Sequence, residues 1–152
     1  MRALIQRVSR ASLTVKNSDK KEFIERGLVV LVGISRNDNE NDIKWIADKT
    51  INLRIFPDQN DKMNLSLMDI SGDILVVSQF TLYGDCRKGR RPDFTQSAEP
   101  KSAEIFYNKF LDKLRNKAPD LKIKSGVFGA VMKIEILNDG PVTIILDSKV
   151  AK

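Results

Sequence analysis

Apolar and polar residues alternate along the first part of the chain, and this pattern predicts β-strands. Residues 2–9 and 11–16 alternate with a period of two, whereas residues 27–34 form a nearly continuous apolar run. Such a run is typical of a strand that is buried on both faces. Residues 17–22 are polar and predict a turn, and residues 73–80 carry a further strand with an apolar centre.

Two segments have the spacing of amphipathic helices. The first is predicted at roughly 40–52, behind Asn and Asp residues that can cap it. The second begins near Pro100, a residue suited to a first helical turn, and ends by residue 119. The apolar positions of the two helices are Ile43, Ile46, Ala47, Thr50 and Ile51, and Ala103, Phe106, Tyr107, Phe110, Leu111 and Leu114.

Two more strands are predicted at the end of the chain, at 127–137 and 142–147, separated by the turn-like sequence Asn-Asp-Gly-Pro. No internal repeat or linker divides the sequence. We therefore expect residues 1–152 to form one compact α/β or α+β domain, with a largely antiparallel sheet and two main helices. The segment 83–100 is too polar and too rich in Gly and Pro for regular structure, and its length suggests a functional loop.

Composition removes several classes of protein and of chemistry. No apolar run approaches the roughly 20 residues of a membrane span, and the first residues lack a signal-peptide pattern, so a cytoplasmic protein is expected. The single cysteine, Cys86, allows no internal disulfide. The absence of histidine excludes the Ser-His-Asp triad and His-ligated zinc. An enzyme of this composition has to use carboxylates, Lys, Tyr, backbone dipoles or a group of its substrate, and we expect neither a cofactor nor a metal.

The formal charge of +6 makes a polyanionic partner plausible, and one stretch concentrates that charge. Arg87, Lys88, Arg90 and Arg91 lie within the sequence RKGRR. Their side chains can follow consecutive phosphates of a nucleic acid. The alternative is a solvated basic loop, since charge runs of this length are common.

A second constellation lies at the end of the strand 73–80. The sequence VVSQFTLYGD groups Ser78, Gln79, Thr81 and Tyr83 where the chain leaves the sheet and backbone N–H groups become free. Free N–H groups can stabilise an oxyanion. Alternatively, these side chains only hydrogen-bond their own turn, because Ser or Thr without a neighbouring base is an inert alcohol.

A third constellation is NDGPVT, residues 138–143. It has the composition of a turn, but Pro141 cannot donate to a sheet ladder and an X-Pro bond can be cis. A cis bond after Gly140 would turn two carbonyl oxygens to one side with almost no side chain around them. The segment is therefore either a plain turn or a recognition edge.

Five blocks of the sequence together resemble the D-aminoacyl-tRNA deacylase family of the bacterial and eukaryotic type. They are MRALIQRV, LVVSQFTLYGD, KGRRPDF, FGAVM and NDGPVTI, and their order and spacing extend from Met1 to about Asp147. The resemblance implies a homodimer that hydrolyses the ester joining a D-amino acid, or glycine, to the terminal adenosine of tRNA. It also implies a three-layer β/β/α arrangement and metal-free catalysis assisted by the 2′-hydroxyl of the tRNA.

The resemblance carries functional roles to individual positions. Ser78, Gln79, Phe80 and Thr81 match the floor of the catalytic pocket, with the backbone N–H groups of Phe80 and Thr81 facing the ester carbonyl. The remaining matches are Gly140 and Pro141 as a Gly-cisPro motif inserted into the partner's site, Arg7 as its anchor, and Phe128 and Met132 in the adenosine pocket.

The implied selection is by exclusion, because crowding beside the substrate Cα admits hydrogen and rejects an L side chain. Glycine would pass the same test. Two rival functions remain. One is the paralogous deacylase that removes L-alanine from tRNA, which lacks the arginine near the N-terminus. The other is a non-catalytic RNA-binding module that uses the basic stretch.

Overall fold

The computed structural model of the protein describes residues 1–150, which form one curved sheet, one small hairpin and two α-helices. The elements are β1 Arg2–Val15, β2 Lys21–Ile24, β3 Gly27–Gly33, α1 Glu40–Asn52, β4 Phe56–Pro57, β5 Met63–Leu65, β6 Asp73–Ser78, a 3-10 helix Phe80–Tyr83, α2 Pro100–Lys117, β7 Ile123–Ser125 and β8 Met132–Asp147. No helix of the described residues is long and apolar enough to cross a membrane.

The main sheet has the order β2-β1-β3-β6-β7, and β8 pairs with the other edge of β1. β1 is antiparallel to β2, β3 and β8, as the expected largely antiparallel sheet requires. β3, β6 and β7 are parallel to one another, so the sheet is mixed. The parallel part was not evident from the sequence, because β7 has only three residues and follows a helix.

Strand number and length differ from the prediction at both ends of the chain. Residues 2–9 and 11–15 belong to one 14-residue strand, β1, which ends one residue before the predicted boundary, and residues 142–147 continue the strand that begins at Met132. The segment 138–141 is therefore not a hairpin turn between two paired strands. It is an irregular part of one long strand that pairs with β1 on both sides of the irregularity. Residues 127–131 precede that strand instead of forming part of it.

The core consists of two hydrophobic clusters on opposite faces of the sheet. The helix-side cluster packs α1 and α2 against residues such as Ile5, Val30 and Val76. The second cluster lies on the other face, between the sheet and the first half of β8 that folds over it, and is called the inter-sheet cluster. It contains Leu13 and Val77, among others. Adjacent residues of one strand thus point into different clusters, as the period of two requires. The result is two β-layers and one α-layer.

Both helices occupy the predicted segments. Asn39 caps α1, where its side chain accepts a hydrogen bond from the backbone N–H of Asn41 at 2.9 Å. Pro100 lies at the start of α2, where the absence of an N–H has no cost. Phe110 of α2 is fully buried, a contribution of roughly 1.5–3 kcal/mol to stability. α2 therefore packs against the face of the sheet that carries the helix-side cluster.

Candidate functional site

The candidate site begins where β6 leaves the sheet. Ser78 is the last residue of β6 and pairs with Val32 of the parallel strand β3. The N–H of Gln79 makes the next hydrogen bond, to the carbonyl of Val32 at 2.7 Å, and the chain then turns into the 3-10 helix. Gly33 allows this close turn, because a Cβ there would lie 3.1 Å from both the carbonyl oxygen of Gln79 and the Cβ of Leu82.

Two backbone donors are free at the start of the 3-10 helix. The N–H groups of Leu82 and Gly84 donate to the carbonyls of Gln79 and Thr81, at 3.3 and 2.9 Å. The N–H groups of Phe80 and Thr81 precede the first internal bond of the helix, and neither donates a hydrogen bond within residues 1–150. Adjacent free donors at the end of a buried strand are suited to bind a carbonyl oxygen on which negative charge develops.

The side chains of the same turn offer no activated nucleophile. The Thr81 hydroxyl accepts a hydrogen bond from the side-chain amide of Gln79, which is a donor and cannot act as a base. Phe80 has 58% of its surface exposed, and its ring meets that of Phe94 edge to face with the centroids 5.0 Å apart. The turn therefore presents backbone donors and an aromatic ring, and its hydroxyl groups lack a partner that could remove their proton.

A cavity of about 490 Å³ opens beside this turn. Ser78, Gln79 and Phe80 form one wall, and Phe128 and Met132 form part of another. The remaining lining residues come from the position after β3, from β6, from the loop before α2, from the first turn of α2, from the segment before β8 and from β8: Ile34, Val77, Ser97, Ala98, Pro100, Ala103, Gly129, Ala130 and Ile134. The lining is mainly apolar with a polar edge, which is typical of a site for a ring system carrying a reactive polar group.

The two tyrosines near the cavity stay protonated at neutral pH and offer no base. Tyr107 lies 5.9 Å from Phe128, between ring centroids, and donates its hydroxyl proton to the carbonyl of Val76 at 2.9 Å. Burial raises the pKa of Tyr107. Burial also raises the pKa of Tyr83, with a further contribution from Asp38 and Asp147. Neither tyrosine therefore supplies a base to the cavity, and the free backbone N–H groups of the turn remain as candidate donors.

Gly140 and Pro141 lie outside this cavity, in the irregular part of β8. Gln6 pairs with Thr143 and Val8 with Asn138, so Asp139, Gly140, Pro141 and Val142 lie opposite the single residue Arg7. The Gly140-Pro141 peptide bond is cis, and Gly140 has φ +130°. Both residues are exposed. The bulge therefore exposes a segment with little side chain to solvent.

Arg7 fixes the position of this segment. Its side chain is buried, and Nη1 donates to the carbonyl of Ile55 at 2.6 Å while Nε donates to the carbonyl of Asp139 at 3.1 Å. The Asp139 carboxylate lies 3.3 Å from the same Nε. Because a buried guanidinium that loses a partner is costly, the bulge is held at a defined position relative to β1.

The basic stretch forms the tip of a small loop that is closed at its base. The backbones of Asp85 and Asp93 bond each other in both directions, at 2.8 and 2.9 Å. Arg87 folds back onto Asp85, with 2.9 Å between Nε and Oδ1, and this hydrogen bond lowers the pKa of Asp85 to about 2. The exposed side chains of Lys88, Arg90 and Arg91 form no ion pair within residues 1–150. Cys86 is exposed in the same loop.

The structure thus brings some of the predicted residues together and leaves others apart. Ser78, Gln79, Phe80, Phe128 and Met132 line one cavity, and Thr81 belongs to the same turn without lining it. Arg7, Gly140 and Pro141 form a separate group, and the basic loop forms a third. Sequence reasoning missed Ser97, whose hydroxyl donates to the carbonyl of Phe80 at 3.0 Å. A lone serine in a polar loop gives no local signal of such a contact.

No group of three or more His, Cys, Asp or Glu side chains within the described part of the chain is arranged to hold a metal ion.

A family model described as D-Tyr-tRNA(Tyr) deacylase matches residues 4–147. Curated relatives called D-aminoacyl-tRNA deacylase are similar over nearly their whole length. The protein from Clostridium beijerinckii is 58% identical over 149 residues, which cover 98% of each chain. The protein from Petrotoga mobilis is 56% identical, again with 98% of each chain covered.

Two solved structures are similar in fold. One is described as the c-Myc DNA Unwinding Element Binding Protein. It is 46% identical with a TM-score of 0.90, and the alignment covers 97% of this chain and 99% of that one. The other is described as a probable eukaryotic D-amino acid tRNA deacylase, with 21% identity, a TM-score of 0.81, and 95% and 97% of the two chains covered. At that identity the second similarity concerns the fold alone.

Proposed function

Because the chain belongs to the D-aminoacyl-tRNA deacylase family, which hydrolyses esters of aminoacyl-tRNA, we propose that the cavity beside β6 binds the aminoacylated end of tRNA. There the enzyme hydrolyses the ester of a D-amino acid or glycine and releases the free amino acid and the tRNA. This is a quality-control reaction of translation, and we place it in the cytoplasm.

The observation that carries the proposal is the pair of free N–H groups on Phe80, which lines the cavity, and on Thr81, which follows it in the same turn. In the reaction, water adds to the ester carbonyl carbon, and the former carbonyl oxygen takes up negative charge. The bond to the ribose oxygen then breaks, and that oxygen receives a proton. The two N–H groups stabilise the charged intermediate, and loss of one such donor typically costs a factor of 10² to 10³ in rate.

The attacking water needs a proton acceptor that the turn does not provide. The chain contains no histidine, and the Thr81 hydroxyl is bonded to an amide. The 2′-hydroxyl of the terminal ribose lies next to the ester in the substrate itself, and we assign to it the orientation of the water and the transfer of the proton. Gln79 and Thr81 then position the turn, and Ser78 ends the strand that carries it.

Phe128 and Met132 are proposed to hold the terminal adenine, because an aromatic ring and a polarizable thioether are suited to the faces of a base. The tRNA phosphates are assigned to the basic loop. Lys88, Arg90 and Arg91 carry most of that contact, since the Arg87 guanidinium is already engaged by Asp85.

Selection of the amino acid is assigned to Gly140 and Pro141 of a second copy of the chain. These residues are exposed, are held by Arg7 and do not line the cavity of their own chain, so a homodimer that exchanges them completes both sites. Their carbonyl groups then lie beside the Cα of the substrate and leave space for hydrogen alone on that side. An L side chain is excluded, whereas glycine and D residues enter.

The decisive experiment compares D-tyrosyl-tRNA, L-tyrosyl-tRNA and glycyl-tRNA as substrates of the purified protein. We expect multiple-turnover hydrolysis of the D-tyrosyl and glycyl esters and survival of the L-tyrosyl ester. Equal hydrolysis of the D and L esters would contradict chiral selection. Hydrolysis of L-alanyl-tRNA in preference to the D ester would support the paralogous activity, against which the paired Arg7 argues. Binding without any hydrolysis would support the RNA-binding module.

A further inference from the structure

Ser97 contacts the turn that follows β6. No sequence motif indicates this contact. Its hydroxyl donates to the carbonyl of Phe80 at 3.0 Å, and its side chain lines the same cavity. We propose that Ser97 is a positioning residue for the hydrolysis: it holds the peptide group that presents the Thr81 N–H to the substrate carbonyl. This inference rests on the proposed function, because it assigns a role to the partner of a proposed oxyanion donor.

The argument depends on which peptide group Ser97 contacts. The carbonyl oxygen of Phe80 and the N–H of Thr81 are opposite ends of one planar amide. A hydrogen bond to that oxygen therefore fixes the direction in which the Thr81 N–H points. It also polarises the amide, and hydrogen bonds in such chains strengthen one another. A donor of charge stabilisation is most effective when it is oriented before the charge develops.

Ser97 itself is fixed by contacts that do not involve the 3-10 helix. The N–H of Ala98 donates to the carbonyl of Ile34 at 2.9 Å, and the N–H of Arg36 donates to the carbonyl of Gln96 at 3.2 Å. Ser97 also forms an isolated antiparallel bridge with Ser35. The residues on both sides of Ser97 are thus bonded to the segment that follows β3. The hydroxyl acts from a rigid support, as a positioning role requires.

A second contact from the same loop acts on the same residue. The ring of Phe94 meets the ring of Phe80 at an interplanar angle of 71°, and the N–H of Ser97 donates to the carbonyl of Phe94 at 2.9 Å. Phe80 is therefore held at its side chain by Phe94 and at its carbonyl by Ser97. The peptide group between Phe80 and Thr81 has little freedom to rotate while both contacts are present.

The test compares three variants of the full chain. Ser97→Ala removes the hydroxyl, Ser97→Thr retains it, and Thr95→Ala removes an exposed hydroxyl that forms no hydrogen bond within residues 1–150. The measurement is the single-turnover rate of D-tyrosyl-tRNA hydrolysis over a range of enzyme concentrations. We expect Ser97→Ala to lower the saturating rate about three- to tenfold, the usual effect of one hydrogen bond, without changing the half-saturating concentration. Ser97→Thr restores the rate to within about twofold, and Thr95→Ala matches the unmodified protein.

The thermal unfolding temperature of each variant separates positioning from folding. An unchanged saturating rate in Ser97→Ala overturns the inference, as does an equal loss in Ser97→Thr, which would assign the effect to packing. A loss confined to the half-saturating concentration also overturns it, because Ser97 would then contribute to tRNA binding alone. If the unmodified protein does not hydrolyse D-tyrosyl-tRNA, the proposed function fails, and this outcome is distinct from a silent Ser97→Ala variant.

Discussion

The substitution Gly140→Ala adds one methyl group at the segment to which we assign chiral selection. A Cβ at this position would lie 2.7 Å from Val142 Cγ2, 2.9 Å from the Val142 backbone nitrogen and 3.0 Å from Arg7 Nη2. Gly140 also has φ +130°, which an alanine adopts only with strain. The Val142 nitrogen is part of the strand and the Arg7 guanidinium is buried, so neither neighbour is free to move away.

The magnitude follows from these contacts. Backbone strain of this kind costs of order 1–3 kcal/mol, and the close contacts add to it. We expect the unfolding temperature of Gly140→Ala to fall by roughly 5–10 °C, since about 1 kcal/mol corresponds to roughly 2–4 °C in a chain of this size. Gly89→Ala is the matched control for stability: Gly89 has φ +70°, and an added Cβ meets nothing within 4 Å. Its unfolding temperature should fall by less, because only the backbone term applies.

The activity assay measures hydrolysis of D-tyrosyl-tRNA and L-tyrosyl-tRNA below the unfolding temperature of the variant. We expect the rate of Gly140→Ala on the D ester to fall at least tenfold, because a displacement that costs about 1.4 kcal/mol in the transition state is sufficient for that factor. A gain of hydrolysis on the L ester would equally support the assignment. A folded variant that retains the original rate on the D ester and still rejects the L ester would refute the placement of Gly140 beside the substrate.

Two further predictions concern the turn and the basic loop. Thr81→Ala is expected to lose less than about tenfold in rate, since the hydroxyl is assigned a positioning role; a rate indistinguishable from that without enzyme would identify a side-chain nucleophile. Neutralising Lys88, Arg90 and Arg91 together is expected to reduce the slope of log K against log salt for tRNA binding by about 2 to 3. Arg87→Gln should leave that slope nearly unchanged, because Asp85 already engages Arg87, and a reduction of about 0.7 to 0.9 would mean that this ion pair opens in the complex.

The sequence predicts those parts of the fold that local chemistry determines. The bounds of α1 were predicted because Asn39 is a strong cap and the apolar spacing begins directly after it. The turn after β6 was predicted because the apolar run of β6 ends in polar residues. By contrast, Gly and Pro at 140 and 141 are residue types typical of turns. The segment is a bulge because β8 pairs with β1 on both sides of it. That pairing is a long-range contact without a local signal.

In the candidate site too, some residues could be predicted from the sequence, whereas others depend on long-range contacts. Family resemblance places Ser78, Gln79, Phe80, Phe128 and Met132, and these residues line one cavity. Ser97 was missed because its role depends on the Ser35–Ser97 bridge and on the bonding of its loop to the segment after β3. The sequence also did not show that Arg87 is paired with Asp85, unlike the other basic residues of the loop. That pairing depends on how the loop folds back.

The bulge opposite Arg7 constrains how this protein can be altered by evolution or by design. A second irregularity follows it, where Val8 pairs with Asn138 and Arg10 with Leu137. Before the two irregularities, Ala3 and Ile5 face the helix-side cluster; after them, Ala11 and Leu13 face the inter-sheet cluster. Gly140 and Pro141 thus lie where one pair of strands passes from one core to the other.

A single-residue insertion or deletion in either half of β1 would exchange the buried and exposed sides of that half. The position of Gly140 and Pro141 is therefore fixed by the packing of both hydrophobic clusters as well as by Arg7. Under the proposed assignment, we expect substitutions in the cavity to spare stereochemical selection and changes of strand length to impair it, even where no residue of the cavity is altered.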